Sequence, residues 1–231
     1  METAIETTKQ TTKDQTQRSR LFTIFNANGS DTAVLSQMVA EQLAKAGKTI
    51  VVELPCLGVP KLAFLYDRES IERKQSIDQL LIDYERKDMR SVYDYVLKGE
   101  NVDLLLIHPQ ISPLSPTLTR LTQLNTLLDL PALLRSVLDE RYANIVFSLQ
   151  GQLMHPMTMF SLRIAERIIM NMHRAEELPW TMLYYNRLVD EMTIDPSKIS
   201  LYSNERNIAV KQLELSYSVS DLMKKLQKKG G

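Results

Sequence analysis

The chain has 231 residues, 44% of them hydrophobic, and its 28 Lys and Arg residues balance 28 Asp and Glu residues. This length and composition predict one globular domain with a substantial core, and they exclude a disordered or fibrous protein. The zero net charge gives no overall attraction to nucleic acid, so we expect no nucleic-acid partner.

The first 20 residues are rich in Thr, Gln and charged side chains. They predict a flexible tail over residues 1–20, followed by a single domain over 21–231. We see no secretory signal, and no apolar stretch reaches the roughly 20 residues of a membrane span. The one cysteine, Cys56, excludes an internal disulfide and fits a reducing compartment. We therefore expect a cytoplasmic protein, or one peripheral to the inner face of the cell membrane.

The first elements form a strand–helix–strand unit. Leu21–Phe25 (LFTIF) and Thr49–Leu54 (TIVVEL) are short apolar runs that predict buried strands. An apolar stripe between them predicts a helix over Ala33–Ala46, with Asp31 or Thr32 as its N-cap. Two strands joined by a helix within about 35 residues predict a right-handed unit and a parallel sheet.

The alternation of strands and helices continues to the end of the chain. Further strands are predicted at Val102–His108, Asn144–Leu149, Arg167–Met172, Thr181–Tyr185 and Ile199–Tyr202. Further helices are predicted at Ser76–Tyr84, Ser91–Leu97, Leu118–Glu140 (kinked or broken at Pro131), Thr158–Ala165 and Ser218–Lys228. This order predicts an α/β fold with a doubly wound, mostly parallel sheet flanked by helices.

The loop after the first strand is where such a sheet would bind a phosphate, at the N-terminus of the following helix. A P-loop needs glycines, a Lys for the phosphates and a Ser or Thr for Mg²⁺. The loop has one glycine, an acidic residue where phosphate would lie, and no lysine. It consists of Asn26, Ala27, Asn28, Gly29, Ser30, Asp31, Thr32 and Ala33.

The order of elements around this loop resembles the MinD/ParA branch of P-loop ATPases, over roughly Leu21–Lys228. Counted back from Gly47 without gaps, Thr32 matches the family's P-loop lysine and Ala27 its additional signature lysine. Ala33 matches the family's Thr that binds Mg²⁺. The resemblance therefore implies a phosphate loop that has lost its charged chemistry.

Three later segments carry the resemblance further. Glu53 keeps the family's acid after the second strand. Asn144–Leu149 resembles the family's switch strand, with Ser148 where its Asp belongs. The segment WTMLYYNR resembles the family's strand that ends in VxNR, whose Asn contacts adenine, and Asn186 is the matching residue.

The departures from the family fall together on phosphate, Mg²⁺ and water activation. Phosphoryl transfer depends on positive charge and positioning around the γ-phosphate. The resemblance therefore implies a degenerate member without catalytic residues or cofactor, in which binding of ATP and Mg²⁺ is disfavoured. The alternative is an ATP-binding or ATP-hydrolysing member whose missing lysine comes from another segment or a partner.

Family members form dimers and recruit other proteins. A member with a disabled site resembles the atypical TadZ/CpaE type, which is associated with pilus and secretion assembly. The resemblance thus implies a homodimeric scaffold or localisation protein that recruits or assembles a larger machine. A DNA-associated partition protein is disfavoured by the neutral charge.

The C-terminal segment is amphipathic and resembles the basic tail with which MinD docks on membranes. Such a helix could lie on an anionic membrane surface, or it could be the terminal helix of the fold with solvated lysines. The candidate membrane contacts are Leu222, Met223, Lys224, Lys225, Leu226, Lys228 and Lys229.

The three histidines, His108, His155 and His173, have no Cys or carboxylate at metal-ligand spacing. A zinc site needs three or four converging ligands. We therefore predict no metal site.

Overall fold

The fold is built on one seven-stranded sheet in which every strand runs parallel to its neighbours, in the order β3-β2-β4-β1-β5-β6-β7. The computed structural model describes residues 19–29, 31–54, 60–111, 124–149, 153, 155–205 and 215–228. The strands are β1 Arg20–Asn26, β2 Thr49–Glu53, β3 Val102–Leu105, β4 Asn144–Ser148, β5 Arg167–Met172, β6 Ile199–Ser203 and β7 Leu215–Ser216. The predicted doubly wound, parallel architecture is confirmed.

Helices cover both faces of the sheet. They are α1 Ala33–Ala44, α2 Leu62–Leu65, α3 Ile77–Arg86, α4 Leu124–Leu138, α5 Pro156–Ile164, α6 Leu178–Asn186 and α7 Val219–Lys228. Side chains of α1, α2 and α7 pack on one face, and side chains of α3, α4 and α5 on the other. The inner strands are buried on both faces, which is why their sequences are nearly continuous apolar runs.

Some helices and strands differ in their bounds or type from the prediction. β1 begins at Arg20 and Ser19 is buried, so the folded part includes residues that we assigned to the tail. Pro131 lies inside α4, which continues through it as one helix. The predicted helix over Ser91–Leu97 is a short 3-10 turn, and Leu97 then pairs with Leu104 in an antiparallel bridge. α2 and β7 were not predicted.

The predicted strand over Thr181–Tyr185 is wrong, because this segment belongs to α6. Pro179 lies in the first turn of the helix, a position that proline favours. Thr181 is the one fully buried residue of α6, whereas an inner strand of a parallel sheet buries all its residues. The apolar run WTMLYY is therefore the sequence of a half-exposed surface helix.

The apolar face of α7 is part of the core. Leu222 is fully buried, Leu226 is nearly so, and Met223 packs partly buried against the same cluster. Lys225 donates to the carbonyl of Leu215 and pairs with Asp221, while Lys224 is exposed. The interpretation of Leu222 and Leu226 as membrane contacts is wrong for the docked helix. The side chain of Lys228 and the whole of Lys229 lie outside the described residues, as do Cys56 and Ser30.

We expect Leu222→Ala to lower the free energy of unfolding by about 2–5 kcal/mol, because it removes a fully buried side chain. Lys224→Ala on the same helix should change it by less than about 0.5 kcal/mol, because Lys224 is exposed. Urea denaturation of both variants measures the difference. Equal stabilities would show that α7 is not packed on the sheet in solution.

Candidate functional site

The predicted site residues meet at the carboxyl edge of the sheet. β1 ends at Asn26, β2 at Glu53 and β4 at Ser148, and these strands are neighbours in the sheet. β1 lies between β4 and β5, where the direction of winding reverses. In open parallel sheets this switch point is where ligands bind. The fold thus brings together the β1–α1 loop and Ser148, as the resemblance implied.

Asn26 closes the β1–α1 loop on itself. Its side-chain oxygen accepts the N–H of Asn28 at 2.7 Å, and its carbonyl accepts the N–H of Gly29 at 3.2 Å. Gly29 adopts a φ of 71°, a left-handed conformation that favours glycine. The amide of Asn26 is in turn anchored on the carbonyl of Asn171 in β5. Two backbone N–H groups of the loop are therefore directed at Asn26.

A carboxylate of the chain itself lies at the N-terminus of α1. Oδ1 of Asp31 accepts the N–H of Ala33 at 2.8 Å, and Oδ2 lies 3.0 Å from Nζ of Lys61. A helix N-terminus carries a partial positive charge and unpaired N–H groups, which attract anions. The predicted N-cap is thus divided between two residues: Thr32 has the cap position and Asp31 supplies the acceptor.

Asp31 is also held through its main chain. Nδ2 of Asn171 donates to its carbonyl at 3.2 Å, and Nε2 of His173 lies 2.9 Å from the same oxygen. Because a carbonyl only accepts, His173 donates from Nε2. The backbone N–H of His173 donates to Glu177. These bonds tie the loop to the end of β5.

A chain of three hydroxyl groups lies beneath the loop. Thr32 Oγ1 donates to the carbonyl of Leu149 at 2.8 Å. The same oxygen lies 3.2 Å from Ser148 Oγ. Ser148 Oγ in turn lies 2.8 Å from Ser36 Oγ. Since the proton of Thr32 is used on Leu149, Ser148 donates to Thr32. Thr32, Ser36 and Ser148 are all buried and uncharged. The residues matched with the family's lysine and switch acid are therefore in direct contact.

The other two matched positions are apolar and buried. Ala27 packs into the cluster on one face of the sheet, and Ala33 into the cluster on the other. Neither side chain has a polar atom that could contact a phosphate or Mg²⁺.

Asn186 is the last residue of α6, so its interpretation as the end of a strand is wrong. α6 does approach the site, because the ring of Tyr184 meets that of Phe25 edge to face, with ring centroids 6.3 Å apart. The local match with VxNR rested on residue identities alone, without the strand that carries them in the family. The structure thus gives Asn186 a different local geometry from the one that the match implied.

Glu53 is a buried carboxyl group that ties three segments together. Its Oε1 accepts the N–H groups of Lys61 and Leu62, and its Oε2 accepts that of Ile107. Burial raises the pKa of Glu53 from its ordinary 4.5 to about 7, although the three N–H groups act in the opposite direction. Asp78, nearby and also buried, contributes repulsion, and burial raises its pKa as well.

Within the described residues, no group of three or more His, Cys, Asp or Glu side chains is arranged to hold a metal ion. Nor does any described helix have the length and apolar character to span a bilayer.

Four side chains of the site were missed by sequence reasoning: Ser36, Lys61, Asn171 and His173. Asn171 is the last residue but one of the predicted strand Arg167–Met172, and His173 comes directly after that strand; this position was the available signal. Lys61 approaches Asp31 from a segment 30 residues away. No local pattern marks such a contact.

The raised pKa of Glu53 predicts that stability falls as pH rises. Between pH about 4.5 and about 7 the folded protein retains a proton that the unfolded chain has released. Stability from this proton is fully present below about 4.5 and lost as pH rises through about 7, about 3 kcal/mol in total. Glu53→Gln cannot titrate, so we expect a smaller loss of unfolding free energy over this window.

Urea denaturation across the window measures that loss, and Glu72→Gln is the matched control, because Glu72 is exposed. We expect the control to follow the unsubstituted protein. If Glu53→Gln follows it too, Glu53 does not carry the pH dependence.

No family model matches the chain, and no curated protein matches it. Solved structures do match. A plasmid partition protein from Borrelia burgdorferi, in an iodide-soaked crystal, superposes with a TM-score of 0.67 and 13% identity, over 92% of this chain and 100% of that one.

Two further solved structures agree. A plasmid partition protein from Borrelia burgdorferi B31, bound to AMPPNP, has a TM-score of 0.62 and 13% identity, over 92% of this chain and 90% of that one. A ParA family ATPase from Chlorobium tepidum TLS has a TM-score of 0.59 and 14% identity, over 83% and 76%. At these identities the likeness concerns the fold, and the chain has the fold of the ParA/MinD-type P-loop ATPases.

Proposed function

We propose that this protein is a ParA/MinD-like scaffold or localisation protein that does not hydrolyse ATP. The observation that carries the proposal is the carboxylate of Asp31 at the N-terminus of α1. A γ- or β-phosphate at this helix end would meet a negative charge, and repulsion between like charges disfavours its binding. The N–H of Ala33, which would serve the phosphate, already has an acceptor.

The buried hydroxyl chain supports the same proposal. Hydrolysis requires cations around the transferred phosphoryl group and a residue that positions water. Thr32 and Ser148 are neutral, and together with Ser36 they satisfy one another's hydrogen bonds. Although the lysine and the acid of the family are absent, none of these three buried hydroxyl groups is therefore left without a partner.

By analogy with ParA/MinD proteins, the chain would act in the cytoplasm as a homodimer. It would be a member of the TadZ/CpaE type. It would recruit or assemble a larger machine of the pilus or secretion kind. Sedimentation velocity without nucleotide tests the dimer: a purely monomeric species at high concentration would contradict it.

One observation favours a second candidate function, an ATP-binding protein with a non-standard phosphate loop. Nζ of Lys61 reaches the helix N-terminus through Asp31, and the Lys61 side chain is 48% exposed. A lysine from another segment could replace the missing one if Asp31 moved aside. The ion pair is partly solvated, so breaking it would cost little, about 1 kcal/mol or less.

Titration calorimetry with ATP and Mg²⁺, together with a phosphate-release assay, separates the two functions. We expect no binding at micromolar affinity and no turnover above the blank, for the unsubstituted protein and for Lys61→Met. Lys74→Met is the matched control, because Lys74 is also an exposed lysine paired with a carboxylate. Binding that is lost in Lys61→Met and kept in Lys74→Met would establish the second function instead.

We further propose that an anionic membrane surface is contacted through the lysines of a docked α7. Truncation after residue 218 would not test this cleanly, because it also removes Leu222 and Leu226 from the core. Each lysine near an anionic surface contributes about 1 kcal/mol.

We expect Lys224→Glu to reduce co-sedimentation with vesicles containing phosphatidylserine, and added salt to abolish it. Vesicles of phosphatidylcholine alone are the control. If the unsubstituted protein fails to pellet with either kind of vesicle, a membrane partner is excluded.

A further inference from the structure

Three exposed apolar side chains lie on neighbouring helices beside the β1–α1 loop. Among the described residues, large apolar side chains are exposed at six positions, and three of these are on α1 and α2. Val34, Met38 and Phe64 are 51%, 41% and 52% exposed. Single exposed apolar residues are ordinary, whereas a contiguous group of them marks an interaction surface. Whether these three are contiguous therefore decides their meaning.

Two contacts hold α1 and α2 side by side. Nζ of Lys61 lies 3.0 Å from Oδ2 of Asp31. Nε2 of Gln37 donates to the carbonyl of Leu65 at 3.0 Å. The first contact joins the residues just before the two helices, and the second joins the middle of α1 to the end of α2. The two helices therefore run next to each other over the length of α2.

The exposed side chains lie along the line between these two contacts. On α1, Val34 is three residues from each contact. On α2, Phe64 lies between the two residues that make the contacts. Met38 is one turn beyond Val34 on the same side of α1. The three side chains thus form one surface, which we call the α1–α2 patch.

The exposed strip of α1 continues beyond the patch with charged residues. Val34, Met38, Glu41 and Lys45 are all exposed, and they are spaced by four, three and four residues. This is the spacing at which one side of a helix faces another helix in a coiled coil. The strip is therefore suited to pack along a second helix, with an apolar first half and a charged second half.

The charges at the two ends of the patch indicate what kind of partner fits it. Asp31 and Lys61 lie at one end, and Glu41 lies at the other. A membrane or a nucleic acid carries negative charge throughout and would meet a carboxylate at both ends, so repulsion disfavours it. A second copy of the chain carries both signs. In a two-fold contact the same surface meets itself, so a patch with both signs can be complementary to its own copy.

An antiparallel pair of α1 helices matches the apolar groups of the patch. When the two-fold axis lies level with Ser36, Val34 of one copy faces Met38 of the second copy, and symmetry repeats the contact. Phe64 flanks the contact, because α2 lies beside this stretch of α1. Apolar side chains of each copy therefore cover those of the other.

The same register also matches the charges. Asp31 lies five residues before Ser36, and Glu41 lies five residues after it, so the two positions are level with each other in the pair. Lys61 is bonded to Asp31 and lies at the same level. Its ammonium group has three N–H donors. Lys61 can thus keep its contact with Asp31 and also donate to Glu41 of the second copy.

We propose that the α1–α2 patch joins two copies of this chain into a dimer without nucleotide, with their α1 helices antiparallel. Val34 and Met38 form its apolar centre, and Lys61 pairs with Glu41 of the second copy on both sides of the axis. The proposal rests on the homodimer of the proposed function and names its interface. The patch is small, and small interfaces are weak, so we expect the dimer to dissociate in the micromolar range.

Sedimentation velocity of the full chain without nucleotide, over a concentration series into the micromolar range, tests the apolar centre. Met38→Glu brings two carboxylates into the apolar contact, and we expect it to weaken dimerisation at least about tenfold. Leu183→Glu is the matched control, because Leu183 is a similarly exposed apolar residue on α6. We expect the control to dimerise normally. Circular dichroism checks that both variants fold.

Exchange of the two charges tests the register. Glu41→Lys and Lys61→Glu each set like charges against one another across the axis, and each should weaken dimerisation about tenfold. The double variant restores opposite charges and should dimerise within about threefold of the unsubstituted protein. A purely structural role of either residue would give no such recovery.

The possible failures are distinguishable from one another. Undiminished dimerisation of Met38→Glu, an equal loss in Leu183→Glu, or a double variant as weak as the single ones would overturn the α1–α2 patch as the interface. The homodimer of the proposed function would then stand and use another surface. A monomer at every concentration would overturn the homodimer as well, and would leave a different protein as the occupant of the patch. None of these results bears on ATP hydrolysis, which the phosphate-release assay tests separately.

Discussion

In a parallel sheet every strand ends at the same edge, and this constraint decides where the chemistry of the molecule lies. β1 sits between β4 and β5, so the loop after β1 must meet the ends of both. Asn26 bonds to the end of β5, and Thr32 bonds to the end of β4. Residues more than 100 positions apart thus form one polar layer above an apolar sheet. The strand pairing that buries the core therefore also places the residues of the site beside one another.

Within this layer, the polar groups match one another. A lysine at position 32 opposite Ser148 would leave a buried charge without a partner, and so would an acid at position 148 opposite Thr32. Such an unpaired buried charge is strongly destabilising. Three hydroxyl groups in sequence leave no such imbalance. Glu53, which keeps an acid, is instead supplied with three backbone N–H groups, and burial raises its pKa to about 7. Each polar group of the layer thus has neighbours that satisfy it.

Much of this architecture could be predicted from the sequence, for identifiable reasons. Buried strands such as β2 and β4 are continuous apolar runs, and the loop at Asn26 follows from its turn residues. α6 was mistaken for a strand because the short, mostly apolar run Thr181–Tyr185 has no clear periodicity and fits either element, and Pro179 was the overlooked signal. The burial of Leu222 could not be predicted, since an amphipathic helix looks alike on a core and on a membrane. The contact of Lys61 with Asp31 depends on the tertiary fold alone.

The position of Asp31 also has a consequence for competition. Its carboxylate is attached to the chain two residues before the N–H that it binds, so the contact is intramolecular. Its effective concentration is set by the geometry of the loop and can far exceed that of a dissolved ligand. Dilution does not weaken it, and a dissolved anion must reach that effective concentration to compete on equal terms. An anion that cannot diffuse away is thus present at this end of α1 at every protein concentration.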